Sequence, residues 1–308
     1  MKLLSKIKKY LKHPKNFLLF FIDRGFFNKM SDEKYLKMNF KIRMNRELDL
    51  KNPKSFNEKI QWLKLYDRKE KYTKMVDKYE AKEYVKNILG EEYIIPTLGV
   101  WEKFDDIDFD KLPNQFVLKC THDSGGLVIC KDKSKLNKEE ARKKINKSLK
   151  NKFFYNFREW PYKNVKPRII AEKFMDIGSE KGLVDYKFFC FNGEPKLIYV
   201  SEGLEDHSTA SIEFLDMNYE RLEFKRNDFK TFDVLPKKPV NFEKMKEVSK
   251  ILSKDNAFLR VDLYEINNNI YFSELTFSPC GGFLPFEPVE WDFKLGEWIN
   301  LPIENKKD

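Results

Sequence analysis

A chain of 308 residues is long enough to bury a substantial core and to hold more than one lobe. Hydrophobic residues at 41% and aromatics at 15% exclude wholesale disorder. The formal charge of +10 is concentrated: residues 1–30 carry seven Lys and one Arg against one Asp, so +3 is left for the remainder. That balance lacks the clustered basic surface a nucleic-acid groove needs, and nucleic-acid binding is set aside. Four scattered cysteines without a CxxC pair point to a reduced, cytosolic compartment and away from zinc. Three histidines make a His-based metal site or triad a poor fit.

The N-terminal run "MKLLSKIKKYLKHPKNFLLFFIDRGFFNKM" mixes lysines with Leu, Ile and Phe. Its apolar stretch from Phe17 to Ile22 falls far short of the roughly 20 residues of a spanning helix, and Asp23 and Arg24 stand where a signal peptide needs small residues. Two readings stay open. One is an amphipathic helix packed on the body. The other is a basic anchor on anionic lipid at the inner face of the cell membrane.

Residues 31–70 read as helical, and Ser55 and Glu58 in "SFNEKIQWLKLYDR" have capping-box spacing. "YTKMVDKYEAKEYVKNIL" reads as a second helix that carries Lys78. "EEYIIPTLGVW" reads as a short strand and loop. "FVLKC", residues 126–130 and "RIIAEKFM" follow as strands, with the helical interval "NKEEARKKINKSLKNKFFY" before the last. "DYKFFCFNGEPKLIYVSEG" predicts a hairpin at Asn-Gly, which supplies the positive φ of a tight turn. "ASIEFLDMNYERLEF" predicts another, turning at "DMNYE". After a helix near 241–254, "AFLRVDLYEINNNIYFSEL" gives two strands about an Asn-rich turn at residues 267–269. A Pro/Gly-rich loop, "TFSPCGGFLPFEP", ends the core. Neither GxGxxG nor GxxxxGK[ST] is present, so Rossmann and P-loop readings lack their fingerprints.

Four elements carry polar residues that their local structure does not require: Lys78; Lys119 with the loop "THDSGG"; "EKFM", residues 172–175; and Arg260, Asp262 and Glu274. Asp262 and Glu274 each interrupt an apolar strand. An antiparallel pairing about the Asn turn would bring them together on one face. They then need a compensating cation, for which Mg²⁺ is suited, unless both simply project into solvent. "DSGG" taken alone is either an ordinary turn or a loop whose N–H groups approach phosphate oxygens, with a lysine as point charge.

In this order the residues resemble the ATP-grasp superfamily. "SFNEKIQWLKLYDR", "DKY..KEYV", "LP.QFVLKCTH.SG", "REW", "DYKFFCFNGEPK" and "E.TF.P.GG" resemble, more narrowly, the TupA-like ATP-grasp family, associated with bacterial surface-polysaccharide assembly; the match runs from about residue 50 to about residue 300. The resemblance implies an α+β ATP-grasp fold, two α+β lobes clamping ATP, with a helical N-terminal extension. It divides the chain into a basic helical segment (1–54), a helical region preceding the grasp (55–115), a small lobe (116–175) and a large lobe with the metal site (176–308).

The implied activity is ATP- and Mg²⁺-dependent carboxylate–amine ligation through an acyl phosphate. The partners would be ATP, a carboxylate-bearing sugar or glycan and an amine. Lys78 and Lys119 would contact the phosphates under a mobile loop of Ser124, Gly125 and Gly126. Glu172 and Lys173 would meet the adenine edge, and Phe174 and Met175 would line its pocket. Asp262 and Glu274 would hold Mg²⁺, with Arg260 and Lys187 on the transferring phosphate. Thr276 stands where the family's usual Asn would bind a second metal. His122 and Asp123 have no family role, and His122 reads as either a loop hydrogen bond or a substrate contact. A kinase of the same fold, a non-catalytic membrane-associated scaffold and a glycosyltransferase remain as alternatives.

Overall fold

The computed structural model describes residues 14–175, 182–203 and 210–302, with side chains from residue 17 onward; most lysines of the N-terminal run lie outside these residues. Helix α1 (Pro14–Asp23) buries Ile22 and lays Leu18 and Leu19 against Tyr35, Leu36 and Phe40 of α2 (Asp32–Met44). For this stretch the packed-helix reading holds, although Phe17 and Phe26 stay 41% and 67% exposed. No helix among the described residues is long and apolar enough to cross a membrane. In α3 (Phe56–Tyr66) the capping box forms as expected: Ser55 Oγ accepts from Glu58 N, and Glu58 Oε2 accepts from Ser55 N at 2.9 Å.

The second expected helix is two. Helix α4 (Lys71–Val76) and α5 (Glu80–Leu89) are separated at Asp77, so Lys78 lies in a break and not on a helix. Asp77 takes an extended conformation (ψ 119°), and its Oδ1 accepts from Tyr79 N and Glu80 N at the start of α5. The freed Lys78 N–H donates to Thr121 O at 3.0 Å, a tertiary bond that helical periodicity cannot register.

Strands β1 (Thr97–Trp101), β2 (Phe116–Cys120) and β3 (Leu127–Cys130) come next, then α6 (Lys138–Leu149), the single turn α7 (Phe154–Phe157) and β4 (Ile169–Lys173). They make a four-stranded antiparallel sheet in the order β1-β4-β2-β3. Strands β5 (Asp185–Phe191), β6 (Glu194–Glu202) and β7 (Ser211–Leu215), the short β8 (Lys225–Arg226), helix α8 (Phe242–Ser253), β9 (Phe258–Ile266) and β10 (Asn269–Thr276) follow. Five of these strands form a second antiparallel sheet, ordered β10-β9-β5-β6-β7. Strand β8 pairs with β11 (Phe286–Glu287), after which α9 (Glu290–Glu297) closes the described fold.

The β5–β6 hairpin turns at Asn192 and Gly193, both with positive φ, as Asn-Gly predicts. The β9–β10 turn is tighter than expected: Asn267 and Asn268 make it, and Asn269 already pairs with Ile266. The "DMNYE" segment turns, but its return is one bridge, Leu215–Arg221, and not a strand, because Asp216 Oδ1 gathers the N–H groups of Asn218 and Glu220. Nor does the core end at the Pro/Gly-rich loop. Helix α9 docks on α3 through Asp292, whose Oδ1 accepts from Asn57 N at 2.9 Å and whose Oδ2 meets Arg46.

One face of the five-stranded sheet (Phe188, Ile198, Val200, Val261, Leu263) packs on Phe242, Met245, Val248 and Leu252 of α8. The other face packs Phe189, Phe191, Phe214 and Phe258 against Phe56 and Ile60 of α3 and Leu295 of α9. Its β10 edge is charged, and a bulge makes it so. Phe272 pairs with Leu263 but Glu274 pairs with Asp262, leaving Ser273 as the extra residue. Phe272 and Leu275 therefore join the α8 face while Glu274 joins Asp262 on the opposite one.

A Cβ at Gly296 would lie 2.0 Å from Lys54 O and 2.7 Å from the Ser55 carbonyl carbon, both backbone atoms of the α3 entry. Gly296→Ala is therefore expected to lower stability in urea unfolding by about 1–2 kcal/mol, overpacking exceeding the gain in helix propensity. An unchanged midpoint would show that the α3–α9 contact opens freely.

Candidate functional site

On the five-stranded sheet, the register places Glu274, Asp262 and Lys187 in one row across three strands. The Arg260 guanidinium lies over them: Nε donates to Asp262 Oδ1 at 2.7 Å, and one terminal nitrogen donates to Asp262 Oδ2 and Glu274 Oε1, both at 2.6 Å. Lys187 Nζ reaches Asp262 Oδ2 at 2.9 Å and Asp185 Oδ2 at 3.0 Å. Thr276 donates its hydroxyl to Glu274 Oε1 at 2.8 Å. Asp262 is fully buried and saturated by these donors. The Glu274 side chain is 40% exposed, and its Oε2 takes no hydrogen bond from a described residue.

Burial pushes the Asp262 carboxyl up, against the pull of Arg260 and Lys187. Burial also opposes ionisation of Glu274, but Arg260, Lys78 and Lys187 together outweigh it and hold that carboxyl at about 2. Glu274 is thus the open member of the pair. The donor set is oxygen-only and fits a hard cation met by one or two carboxylates. Among the described residues no group of three or more His, Cys, Asp or Glu gathers, so water or ligand oxygens would complete any shell.

The four-stranded sheet carries the opposite balance. Glu172 on β4 meets Lys119 of β2 at 2.6 Å and Lys82 of α5 at 2.5 Å, one oxygen each. Burial opposes its charge, and the two ammoniums overcome it, holding Glu172 at about 2. Lys82 is further fixed by Ile95 O at 2.7 Å and Thr97 Oγ1 at 3.1 Å. Lys173, next along β4, is exposed on the opposite face, and its N–H donates to Pro96 O. Phe174 and Met175 continue half-buried beyond the strand.

The β2–β3 loop is fastened from beneath. Lys78 Nζ donates to Asp123 O. Asp123 Oδ1 accepts from Gly125 N and Gly126 N, each at 3.2 Å, and Oδ2 accepts from Ser148 and Asn151 around the end of α6. His122 Nε2 lies 3.1 Å from Ser148 O and from Asn151 O, so the loop hydrogen bond is the reading that stands. Gly126 is required by packing, since a Cβ there would lie 2.4 Å from Cys120 Sγ. Ser124 and Gly125 form the exposed tip. Sequence reasoning missed Lys82, which looked like an ordinary helix residue, and Asp77, which pairs with Arg168 at 2.9 Å. The spacing Asp77-x-x-Glu80 was an available sign of a new helix start.

The two charged faces meet. Lys78 and Lys119 beside the four-stranded sheet and Glu274 of the five-stranded one lie close enough to shift one another's ionisation, as do Lys119 and Tyr264. A bridge from Ile94 to Phe272 ties the two parts alongside. Two α+β lobes with lysines on one side and a bridged carboxylate pair on the other define an ATP-grasp protein. Residues 58–300 match the sequence model of the TupA-like ATPgrasp family, and the chain belongs to that family.

No curated protein matches the sequence. Solved structures do. A D-alanine–D-alanine ligase from Bacillus anthracis complexed with ATP is similar at 16% identity and a TM-score of 0.39, over 66% of this chain and 55% of that one. The D-alanine–D-alanine ligase of Helicobacter pylori is 18% identical at a TM-score of 0.38, over 80% and 69%. A D-cycloserine synthetase is 14% identical at a TM-score of 0.40, over 73% and 69%. The chain thus spans little more than half the length of the Bacillus anthracis enzyme.

Because Glu172 is held far below the ordinary glutamate value, its contribution to stability is complete above the unfolded pKa and is lost as pH falls through the folded one. Glu172→Gln is therefore expected to cost about 3 kcal/mol at pH 7 in chemical unfolding, with the difference from wild type shrinking as pH falls from about 4.5 toward 2. A pH-independent difference would mean that the two lysines do not hold this carboxylate.

Proposed function

We propose that the chain is an ATP- and Mg²⁺-dependent ligase that joins a carboxylate-bearing sugar of a cell-surface polysaccharide, or its precursor, to an amino acid or other amine through an acyl phosphate. The observation that carries this reading is the meeting of Lys78 and Lys119 with Glu274 across the two sheets. Family membership supports the reaction class and, by association, the polysaccharide substrate. In this reading Lys78 and Lys119 hold the phosphates beneath the loop of Ser124, Gly125 and Gly126. Glu172 fixes Lys119 while Lys173, Phe174 and Met175 border the adenine. Glu274, with Asp262 and Thr276, holds Mg²⁺, which when bound neutralises phosphate charge and orients the γ-phosphoryl. Arg260, positioned over the same carboxylates, offers its guanidinium to the charge developing on the transferring group, and Lys187 holds Asp262 in place beneath it.

The reading requires ADP release that depends on both a uronic acid and an amine. Asp262→Asn is expected to lower that release at least 100-fold in a coupled assay. ADP release indifferent to amine, with a stable phosphorylated sugar as product, would establish the kinase reading instead.

A peripheral membrane location is supported by the exposed Phe17 and Phe26 beside Arg24, downstream of the lysine-rich start. Flotation with anionic liposomes at low salt is expected to carry the full chain and to carry markedly less of a Phe17→Ser/Phe26→Ser variant. Equal flotation of both, or of neither, removes this surface as an anchor.

A further inference from the structure

The open edge of β7 is met by the chain that follows β8. Ile212 N donates to Lys230 O at 2.8 Å, and Ser211 bridges Lys230 in the parallel sense. Strand β8 itself belongs to the ribbon with β11, where Lys225 stands opposite Glu287 and Arg226 opposite Phe286. The turn between β8 and Lys230 is fixed by Arg226. Its guanidinium donates to both Asp228 oxygens, at 2.9 and 2.6 Å, and lies 4.8 Å from the centre of the Phe229 ring. Sheet edge, ribbon and residues 229–234 together enclose a cavity of about 690 Å³.

Pockets of this size that take drug-like molecules are lined mainly by apolar side chains. This one is lined mainly by polar ones. Ser211, Asn227 and Thr231 offer hydroxyl and amide groups, and the Asp233 and Glu287 carboxylates offer acceptors, a set that suits a ligand rich in hydroxyls. Lys225 and Lys230 are exposed on the same wall, and neither ammonium pairs with a carboxylate among the described residues, although Glu287 faces Lys225 across the ribbon. They suit anionic groups carried by the same ligand. A second cleft of about 360 Å³ shares Lys225, Thr231 and Glu287 with the first, so the polar surface continues past them.

Arg226 connects this cavity to the face proposed above for phosphoryl transfer. A terminal nitrogen donates to Cys280 Sγ at 3.3 Å, in the loop after β10, and the same thiol lies within electrostatic reach of Arg260. Tyr199, which follows Lys187 in the row that begins at Glu274, is likewise within reach of both arginines. A ligand that touches both places must extend past Arg226 and Cys280. Resting on the ligase reading, we propose that the cavity binds neighbouring units of an anionic glycan, so that the carboxylate activated beside Arg260 belongs to a uronate chain and not to a free sugar. Lys225 and Lys230 then hold carboxylates of adjoining units, while the hydroxyl, amide and carboxylate groups of the wall meet the sugar hydroxyls.

The test uses the full chain and tetragalacturonate, with galacturonate and maltotetraose as its single-unit and uncharged counterparts. Titration calorimetry without ATP is expected to give a Kd for tetragalacturonate about 10-fold or more below that for either counterpart, and rising with salt. Lys225→Ala/Lys230→Ala is expected to lose about 10-fold in that affinity at an unchanged urea midpoint, while Lys225→Arg/Lys230→Arg keeps it. In the amine-dependent assay the alanine variant should raise KM for tetragalacturonate and leave kcat as in wild type. Failure to bind tetragalacturonate overturns the proposal, as does equal affinity for maltotetraose or wild-type binding by the alanine variant. Binding as expected with no ADP release from any uronate upholds the glycan site and removes the ligase reading. Amine-dependent ADP release from galacturonate without tetragalacturonate binding does the reverse.

Discussion

Asp262 and Glu274 stand opposite each other on adjacent strands, and a pair of like charges there is tolerable only if cations are built into the same face. The sheet supplies them from two strands: Arg260, two residues along from Asp262, bonds both carboxylates, and Lys187 comes from the neighbouring β5. The charges also need a face of their own, and the bulge at Ser273 provides it by separating Glu274 from Phe272 and Leu275. Were Ser273 paired in regular alternation after Phe272, Glu274 would point at α8 and its apolar side chains. The arrangement leaves Asp262 as a buried support and Glu274 as the carboxylate that meets solvent.

The four-stranded sheet solves the inverse problem. Lys78, Lys82 and Lys119 gather around Glu172 and Asp123, leaving one positive charge in excess. Across from them, Asp185, Asp262 and Glu274 exceed Arg260 and Lys187 by one. Opposed faces of unlike charge attract, and each raises the fraction of the other that is ionised. Such a gap suits a ligand that brings anionic groups to the lysines and a cation to the carboxylates. Neither face needs the ligand to stay folded, because each has already paired most of its charges internally.

Much of this was legible because it is local. The capping box at Ser55, the Asn-Gly turn and the apolar runs of β2, β4, β5 and β9 follow from short-range rules, and the carboxylates were conspicuous as interruptions of apolar strands. What escaped depends on contacts between distant segments. The break at Asp77 is fixed by the bond from Lys78 N to Thr121 O, so an unbroken helical pattern was the reasonable local expectation. Helix α9 belongs to the core because Asp292 caps the entry of α3 more than 200 residues earlier, as its bonds to Asn57 show. Lys82 sits at helical spacing with apolar residues, and only the approach of β4 turns it into a partner for Glu172. A bulge leaves no trace in composition, so the face that Glu274 occupies is decided only when β10 pairs with β9.

The loop "THDSGG" shows the same limit at single-residue scale. Glycines after a strand suggest N–H groups free to approach phosphate, yet Gly125 and Gly126 donate to Asp123. That carboxylate occupies the place an anion would take and ties the loop to α6 through Ser148 and Asn151, while His122 braces the same helix end. Asp123 and His122 therefore explain each other: one satisfies the loop's donors from within, and the other keeps the α6 terminus where Asp123 can reach it. A phosphate arriving here would compete with Asp123 for those two N–H groups. The ammoniums of Lys78 and Lys119, rather than the glycines, are then the first positive charge it meets.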